Sequence, residues 1–252
     1  MPMSDPVTPS ASPRAGIGQI STRWALIRDP VQFVMRYAPA IRGYLGVFLK
    51  NPHDVEDVCQ AFLLRVIERG VVEENLLHGR FRDYLIATVR NTALAHLRRR
   101  PLAPQGGTPL SEVPSPESVT FPDDEAWLSG WRRVVLTAAW EALESHERAH
   151  PGNVSYTALR TLADYPDENS EQLAARVGAL CGRTILPDAF RKQVSRARRL
   201  FAESIVTETA RTLEDPTPLR IEEELIDIGV MKYVGPFLPA DWRTRGKLVD
   251  AD

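Results

Sequence analysis

Apolar side chains recur every three to four positions along most of the chain, which is the period of an amphipathic helix. This periodicity begins near Thr22. The pattern predicts helices at about 31–49, 51–69, 79–100, 123–148, 155–164, 169–181, 186–213 and 221–234. No segment shows the two-residue alternation of a strand, so the chain is predicted to be all-α.

Residues that favour helix starts and ends support the predicted boundaries of several of these helices. Asn51 is a good N-cap, and Pro52 suits the first helical position. Asn169 has a glutamine three positions later, which predicts a capping box, and Gly182 suits the end of that helix. Pro39 is expected to kink or divide the first helix.

Composition divides the chain into segments. Residues 1–21 are rich in proline, serine and threonine and are predicted to be a disordered tail. Residues 101–122 contain six prolines and two adjacent glycines without an apolar period, which predicts a flexible linker. Two helical domains are therefore expected at 22–100 and 123–213, followed by an acidic extension at 214–252.

The extension has a local excess of negative charge. Between Glu208 and Lys232 there are seven acidic residues against three basic ones. Within it, 221–234 is apolar on one face. This stretch is expected to complete the fold, and the alternatives are that it packs on the second domain or screens the basic helix of that domain. The last eighteen residues are expected to be a tail.

Overall charge, cysteine positions and hydrophobicity argue against a uniformly basic protein, a disulfide-linked protein and a membrane protein. The formal net charge is −2, so a nucleic-acid surface has to come from local basic stripes. Cys59 and Cys181 occupy apolar helical positions, which indicates core thiols in a reducing cytoplasm. The chain has no apolar leader and no apolar run of about eighteen residues, so membrane insertion is not expected.

The helix predicted at 79–100 carries six arginines against one acidic residue. Such a helix is typical of a nucleic-acid contact. The preceding helix at 51–69 has an acidic first turn and an apolar stripe assigned to the core: Val55, Val58, Cys59, Phe62, Leu63, Val66 and Ile67.

A second basic helix follows the helix at 169–181, and this pair is predicted to form a helix-turn-helix. In the second helix, at 188–206, a buried stripe leaves the polar side chains for solvent or DNA. An ordinary charged helix face is the alternative. The predicted DNA-binding set is Arg191, Lys192, Gln193, Ser195, Arg196, Arg198 and Arg199.

The sequence DVEDVCQAFLLRV at 54–66 closely resembles the region-two signature of extracytoplasmic-function sigma factors of bacterial RNA polymerase. The resemblance implies that this helix docks on core RNA polymerase through Asp54, Glu56, Asp57 and Gln60. It also implies that 81–100 holds and helps to melt the minus-ten promoter element. The residues implied there are Arg90, Asn91, Arg98 and Arg99, with Tyr84 or His96 stacking on bases if either faces outward.

The second domain is similar to sigma region four, which binds the minus-thirty-five element. QVSRARRLFAESI at 193–205 matches the end of the recognition helix, whereas the connection at 182–188 is longer than usual and contains a proline. The expanded arrangement and the acidic tail resemble divergent sigma-like proteins of planctomycete-type bacteria. The implied partners are core RNA polymerase and promoter DNA, with an anti-sigma factor as a further candidate and no membrane.

Two other functions compete with this interpretation. One is a helix-turn-helix regulator that acts without polymerase. The other is a zinc peptidase, because HERAH at 146–150 satisfies the H-E-x-x-H pattern. Pro151 and Gly152 end that helix at once, and only Glu168 or Glu171 remains as a third ligand, which favours a solvated helix end. No phosphate-binding loop or nucleophile elbow is present, so neither catalysis nor a cofactor or metal is expected.

Overall fold

The computed structural model describes residues 29–69, 80–99, 121, 124–213 and 216–244. Within these ranges there are nine α-helices and one short 3-10 helix, Gly235–Phe237. The helices are α1 Pro30–Phe48, α2 Pro52–Arg69, α3 Phe81–Arg99, α4 Asp124–Ala149, α5 Ser155–Asp164, α6 Ser170–Leu180, α7 Pro187–Arg211, α8 Pro218–Asp227 and α9 Met231–Val234.

The all-α prediction is confirmed. In the described part of the chain, the β contacts amount to one isolated bridge between Arg80 and Leu213. The predicted tail at 1–21 and all of the predicted linker except Phe121 lie outside the described residues. No helix within the described ranges is long and apolar enough to cross a membrane.

The predicted helix starts are confirmed by their hydrogen bonds. The Asn51 side chain accepts a 2.9 Å bond from the backbone N–H of His53, at the start of α2. Asn169 forms both halves of a capping box with Gln172 at the start of α6. Pro39 does not divide α1, which continues through it as one helix from Pro30 to Phe48.

The main core joins α1, α2 and α3 to the first half of α4. Its centre is aromatic: Tyr37 stacks on Trp131 with ring centroids 5.3 Å apart, and Phe33 meets Phe81 edge-on at 6.3 Å. Trp131 is fully buried, and Trp127 is 2% exposed. Helices from both sides of the predicted linker therefore share one hydrophobic core, although the predicted division into two domains remains a prediction.

A separate small core holds α5, α6 and α7 together. Its buried residues are Val154, Ala158, Leu173, Ala174, Val177, Phe190 and Val194. The turn between α6 and α7 passes very close to Gly178, where an added Cβ would lie 2.7 Å from the carbonyl oxygen of Arg183. Since only glycine fits beneath this turn, Gly178 sets how closely the connection packs on α6.

The acidic extension is part of the fold. Ile221 and Leu225 of α8 are buried in the main core, and so is Trp242, which is 4% exposed. Trp242 lies within the last eighteen residues, so the expectation that all of them form a tail is wrong. The predicted helix at 221–234 is two helices, α8 and α9, because Gly229 adopts a left-handed conformation between them (φ +69°).

Candidate functional site

The arginines at the start of α3 face the acidic helix α8. Arg80 forms ion pairs with Asp227, with Glu224 at 3.3 Å and with Glu223 at 4.0 Å. Burial alone would raise the pKa of Asp227, but hydrogen bonds and positive charge from Arg80 and Arg82 lower it overall. The extension therefore screens the start of α3, whereas the sequence suggested that it could screen the basic helix at 188–206.

Arg82 is directed further inward. Its guanidinium lies 3.3 Å from Glu224, and the two side chains are only 6% and 1% exposed. Burial raises the pKa of Glu224, and the charges of Arg82 and Arg80 oppose that shift. Of the six arginines in this basic segment, Arg80 and Arg82 are therefore committed to packing against α8.

Arg90 is the predicted DNA-binding residue with the most contacts inside the protein. Its Nε donates a 2.6 Å hydrogen bond to the Tyr44 hydroxyl, and its Nη2 donates to Asp124 at 3.1 Å. The guanidinium also lies over the rings of Tyr44 and Phe121. Arg90 thus connects α3 to α1 and to the start of α4.

The remaining predicted residues of α3 lie on its surface. Asn91, Arg98 and Arg99 are all exposed. Asn91 and Arg98 are seven positions apart, so they lie on nearly the same line of the helix. His96 lies 3.3 Å from Asp54 of α2, and Tyr84 packs partly against the main core, so neither ring is presented fully to solvent.

The predicted polymerase-binding residues of α2 divide into two groups. Asp57 and Gln60 are exposed. Asp54 is directed towards His96, and its side chain is 13% exposed. Glu56 accepts two hydrogen bonds from Arg42, at 2.7 and 3.1 Å, so part of its charge is neutralised within the protein.

Two exposed apolar side chains extend the surface of Asp57 and Gln60. Leu64 is 56% exposed and Ile67 is 54% exposed. The assignment of Ile67 to the buried stripe was wrong. At about 100° per residue, Ile67 lies about 120° from Val55 around the helix, and Leu64 lies about 180° from it. The spacing of these residues along the helix could therefore have identified this exposed face from the sequence.

Most predicted DNA-binding residues of α7 are exposed, but several already have partners. Arg191 pairs with Asp188, and Arg199 pairs with Glu203 at 3.1 Å. Gln193 is half-buried and donates hydrogen bonds to Ser155 at 2.9 Å and to Asn153 at 3.2 Å. It therefore tethers α7 to the start of α5.

A cationic face remains on the side of α7 opposite its core. Lys192, Ser195, Arg196 and Arg199 share this face and are exposed. Within the described residues, Lys192 and Arg196 form no ion pair, which leaves both charges available to an anion. Arg198 points elsewhere and lies 5.2 Å from the Phe237 ring centroid.

The HERAH residues make contacts typical of a helix end. The Glu147 carboxylate accepts hydrogen bonds from the Thr157 backbone at 3.0 Å and from its hydroxyl at 2.6 Å, and so stabilises the first turn of α5. The rings of His146 and His150 stack 4.1 Å apart. Burial lowers the pKa of His146, and the neighbouring His150 lowers it further.

Among the described residues, no third metal ligand lies beside His146 and His150. Glu168 is bound to Arg176. In the described residues, the one group that offers three ligand atoms within 4.8 Å of one another is Asp54, Asp57 and His96, on α2 and α3. The zinc-peptidase alternative is therefore not favoured.

Comparison with known protein families gives a match that falls on the first three helices. Residues 33–101 match the family model of Sigma-70 region 2. No curated protein and no solved structure matches the chain significantly. The matched residues include the exposed face of α2 and the whole of α3.

Proposed function

We propose that this protein is a transcription initiation factor that binds core RNA polymerase through α2 and directs it to promoter DNA through α3 and α7. The observation that carries the proposal is the exposed face of α2, formed by Asp57, Gln60, Leu64 and Ile67. It lies inside the segment that matches Sigma-70 region 2.

This face of α2 has the composition of a protein-binding surface. Leu64 and Ile67 provide apolar area that becomes buried on binding, and Asp57 and Gln60 provide hydrogen-bond acceptors and a donor. Negative charge on Asp57 favours a basic partner surface and excludes an acidic one. Buried residues such as Val58 and Phe62 hold the opposite face of α2 in the core, so the face with Asp57, Gln60, Leu64 and Ile67 is turned to solvent.

The end of α3 is suited to DNA. Arg98 and Arg99 neutralise phosphates, and Asn91 offers an amide that can hydrogen-bond a base edge. Arg90 acts from behind this surface, because its bonds to Tyr44 and Asp124 fix α3 against its neighbours. Recognition by α3 therefore rests on Asn91, Arg98 and Arg99.

The α5–α6–α7 unit is proposed to be a helix-turn-helix that contacts duplex DNA in the manner of sigma region four. Lys192 and Arg196 are one helical turn apart on the exposed face of α7 and carry unpaired charges among the described residues. They are positioned to contact successive phosphates. Ser195 lies beside them as a further hydrogen-bonding group.

The finer classification is part of the same proposal. The factor is proposed to be of the extracytoplasmic-function type, of the divergent kind found in planctomycete-type bacteria, to act in the cytoplasm without catalysing a reaction, and to be open to control by an anti-sigma factor. Support comes from the resemblance of 54–66 to that subfamily's signature and from the expanded connection between α6 and α7.

A run-off transcription assay tests the proposal. Core polymerase from the source organism is incubated with a genomic promoter library, with and without the full-length protein. Specific transcripts are expected only when the protein is added. Leu64→Asp should abolish both the transcripts and co-purification with core polymerase, because it places a charge in the apolar part of the interface.

The matched control is Leu180→Asp. Leu180 is also an exposed helical leucine, at 68% exposure, but it lies on α6 outside the proposed polymerase surface. This variant should retain polymerase binding. If Leu64→Asp and Leu180→Asp bound core polymerase equally well, the assignment of α2 would be rejected.

A further inference from the structure

A cavity of about 340 Å³ opens between α4, α5, α7 and the α9 region, away from the proposed polymerase and DNA surfaces. We propose that this cavity binds an amphipathic anion, meaning a small molecule with an apolar body and one carboxylate or sulfonate group. Its volume falls within the range of small-molecule sites, which is about 300–1,000 Å³.

The interior of the cavity matches the apolar body of such a ligand. Trp140 and Phe201 pack with ring centroids 4.7 Å apart, and both line the cavity. Leu159 and Ile205 are buried and complete its walls. A peptide segment would leave its backbone N–H and C=O groups without partners against these walls, so a molecule with few polar atoms fits better.

The opening of the cavity is aromatic and only partly covered. Tyr233 is 66% exposed and Phe237 is 37% exposed, although both are large apolar side chains. Both line the cavity. A ligand seated here would therefore remove substantial apolar area from water, at about 25 cal/mol for each Å² buried.

Cations surround these aromatic side chains. Arg198 lies 5.2 Å from the ring centroid of Phe237, and Lys232 lies 4.8 Å from that of Tyr233. On the Trp140 side, Arg160 lies 5.6 Å from the ring centroid. The apolar cavity thus has positive charge around it, which favours an anionic head group over a neutral or cationic one.

The cations around the cavity that lack an acidic partner indicate where the anionic head group binds. Arg160 is paired with Asp164, and Arg132 donates to the carbonyl of Ile228 and lies 3.6 Å from Glu125. Arg198 and Lys232 have no acidic partner within the described ranges. The ligand's anion is therefore placed near Arg198 and Lys232, with its apolar body directed towards Trp140.

The first experiment uses anilinonaphthalene sulfonate, a fluorescent amphipathic anion, with the full-length protein. Saturable binding of one probe per chain is expected. Ala163→Trp should reduce the affinity at least tenfold, because Ala163 lines the cavity and its side chain is exposed, so the indole can fill the space. Ala175→Trp is the control, since Ala175 is an exposed helical alanine outside the cavity.

Equal affinities of Ala163→Trp and the unmodified protein for the probe, with Ala175→Trp also unchanged, would overturn the proposal. Saturation at several probes per chain that neither substitution changes would also overturn it, because that result indicates nonspecific apolar binding. The assay contains neither DNA nor polymerase, so its outcome is independent of the proposed function.

The second experiment tests the charge requirement by displacement of the probe. Decanoate should compete better than decanol, and Arg198→Gln should weaken competition by decanoate at least threefold while leaving decanol unchanged. Arg196→Gln is the matched control, because Arg196 lies on the opposite side of α7. If decanoate and decanol competed equally in all three proteins, the anionic part of the assignment would be wrong.

Discussion

The guanidinium of Arg82 lies 3.3 Å from the carboxylate of Glu224, and neither side chain is more than 6% exposed. The pair joins α3, within the matched region, to α8, in the acidic extension. Several polar atoms of the two groups, including Arg82 Nε and both Glu224 oxygens, have no hydrogen-bond partner among the described residues. The extension is therefore coupled to the basic helix through a buried charge pair.

Removing one charge of this pair should destabilise the protein strongly. Glu224→Gln is expected to lower the free energy of unfolding by about 3 kcal/mol, because it leaves the Arg82 charge buried with less compensation. Urea unfolding followed by circular dichroism measures the change. Glu223→Gln is the control, since Glu223 is half exposed and 4.0 Å from Arg80, and its removal should cost under about 0.5 kcal/mol.

The stability of the α3–α8 contact should depend on pH through Asp227. The pKa of Asp227 in the folded state lies below its ordinary value of 3.8. Its ion pair therefore contributes stability above pH 3.8 that disappears as the pH falls through the folded-state value. Asp227→Asn should lower stability at pH 7 by up to about 1 kcal/mol.

The unmodified protein and the Asp227→Asn variant should become more similar in stability as the pH is lowered below about 4. Asp227 becomes protonated first in the unfolded form and then in the folded form. Urea unfolding at a series of pH values measures the difference between them. A difference that stayed constant down to the acid limit would contradict the assigned ion pair.

Gly178→Ala should destabilise the α5–α6–α7 unit by about 1–3 kcal/mol, because the new methyl group would meet the Arg183 carbonyl at 2.7 Å. Gly43→Ala provides a control of opposite sign. Gly43 is exposed in the interior of α1 with nothing within 4 Å of an added Cβ, so alanine should stabilise the protein by about 0.5–1 kcal/mol. Thermal unfolding of Gly178→Ala and Gly43→Ala measures both changes in stability.

Arg98→Gln with Arg99→Gln should weaken promoter binding by the polymerase complex and reduce its salt dependence. The slope of log affinity against log salt should fall by about one unit for each phosphate that is no longer neutralised. Fluorescence anisotropy at several salt concentrations measures both effects. Arg148→Gln with Arg160→Gln is the control, because these exposed arginines pair with acids outside the proposed DNA surface. An unchanged slope in the first double variant would reject the α3 site.

Lys192→Gln with Arg196→Gln should weaken binding to upstream duplex promoter DNA and leave polymerase binding intact. Arg191→Gln should have a smaller effect on DNA affinity, since Arg191 is already neutralised by Asp188. Quantitative footprinting of the upstream promoter region distinguishes the variants. Equal protection by the double variant and the unmodified protein would show that α7 does not contact this DNA.

Much of the local structure could be predicted from the sequence. The capping groups of Asn51 and Asn169 act within a few residues of themselves, so they set the starts of α2 and α6 without help from the rest of the fold. Apolar spacing likewise predicted α4 and the buried stripe of α7. The DNA-binding and polymerase-binding roles of the surface residues stay predictions.

Availability of charged side chains could not be predicted in the same way. Arg82 and Arg98 occupy the same basic helix, yet one is buried against Glu224 and the other is exposed. The difference depends on an acidic helix more than 120 residues away, and local periodicity contains no information about that contact. Arg90 is a similar case, because its hydroxyl and carboxylate partners lie on α1 and α4.

The sequence by itself determined the helical class, most helix boundaries and the resemblance that points to transcription initiation, because these properties arise from short-range spacing and residue type. Tertiary packing alone decided which arginines remain open to a ligand, that the acidic extension packs on the basic helix, and that α4, α5 and α7 enclose a cavity. These outcomes depend on contacts between distant segments, whose geometry is fixed only when the whole core is buried.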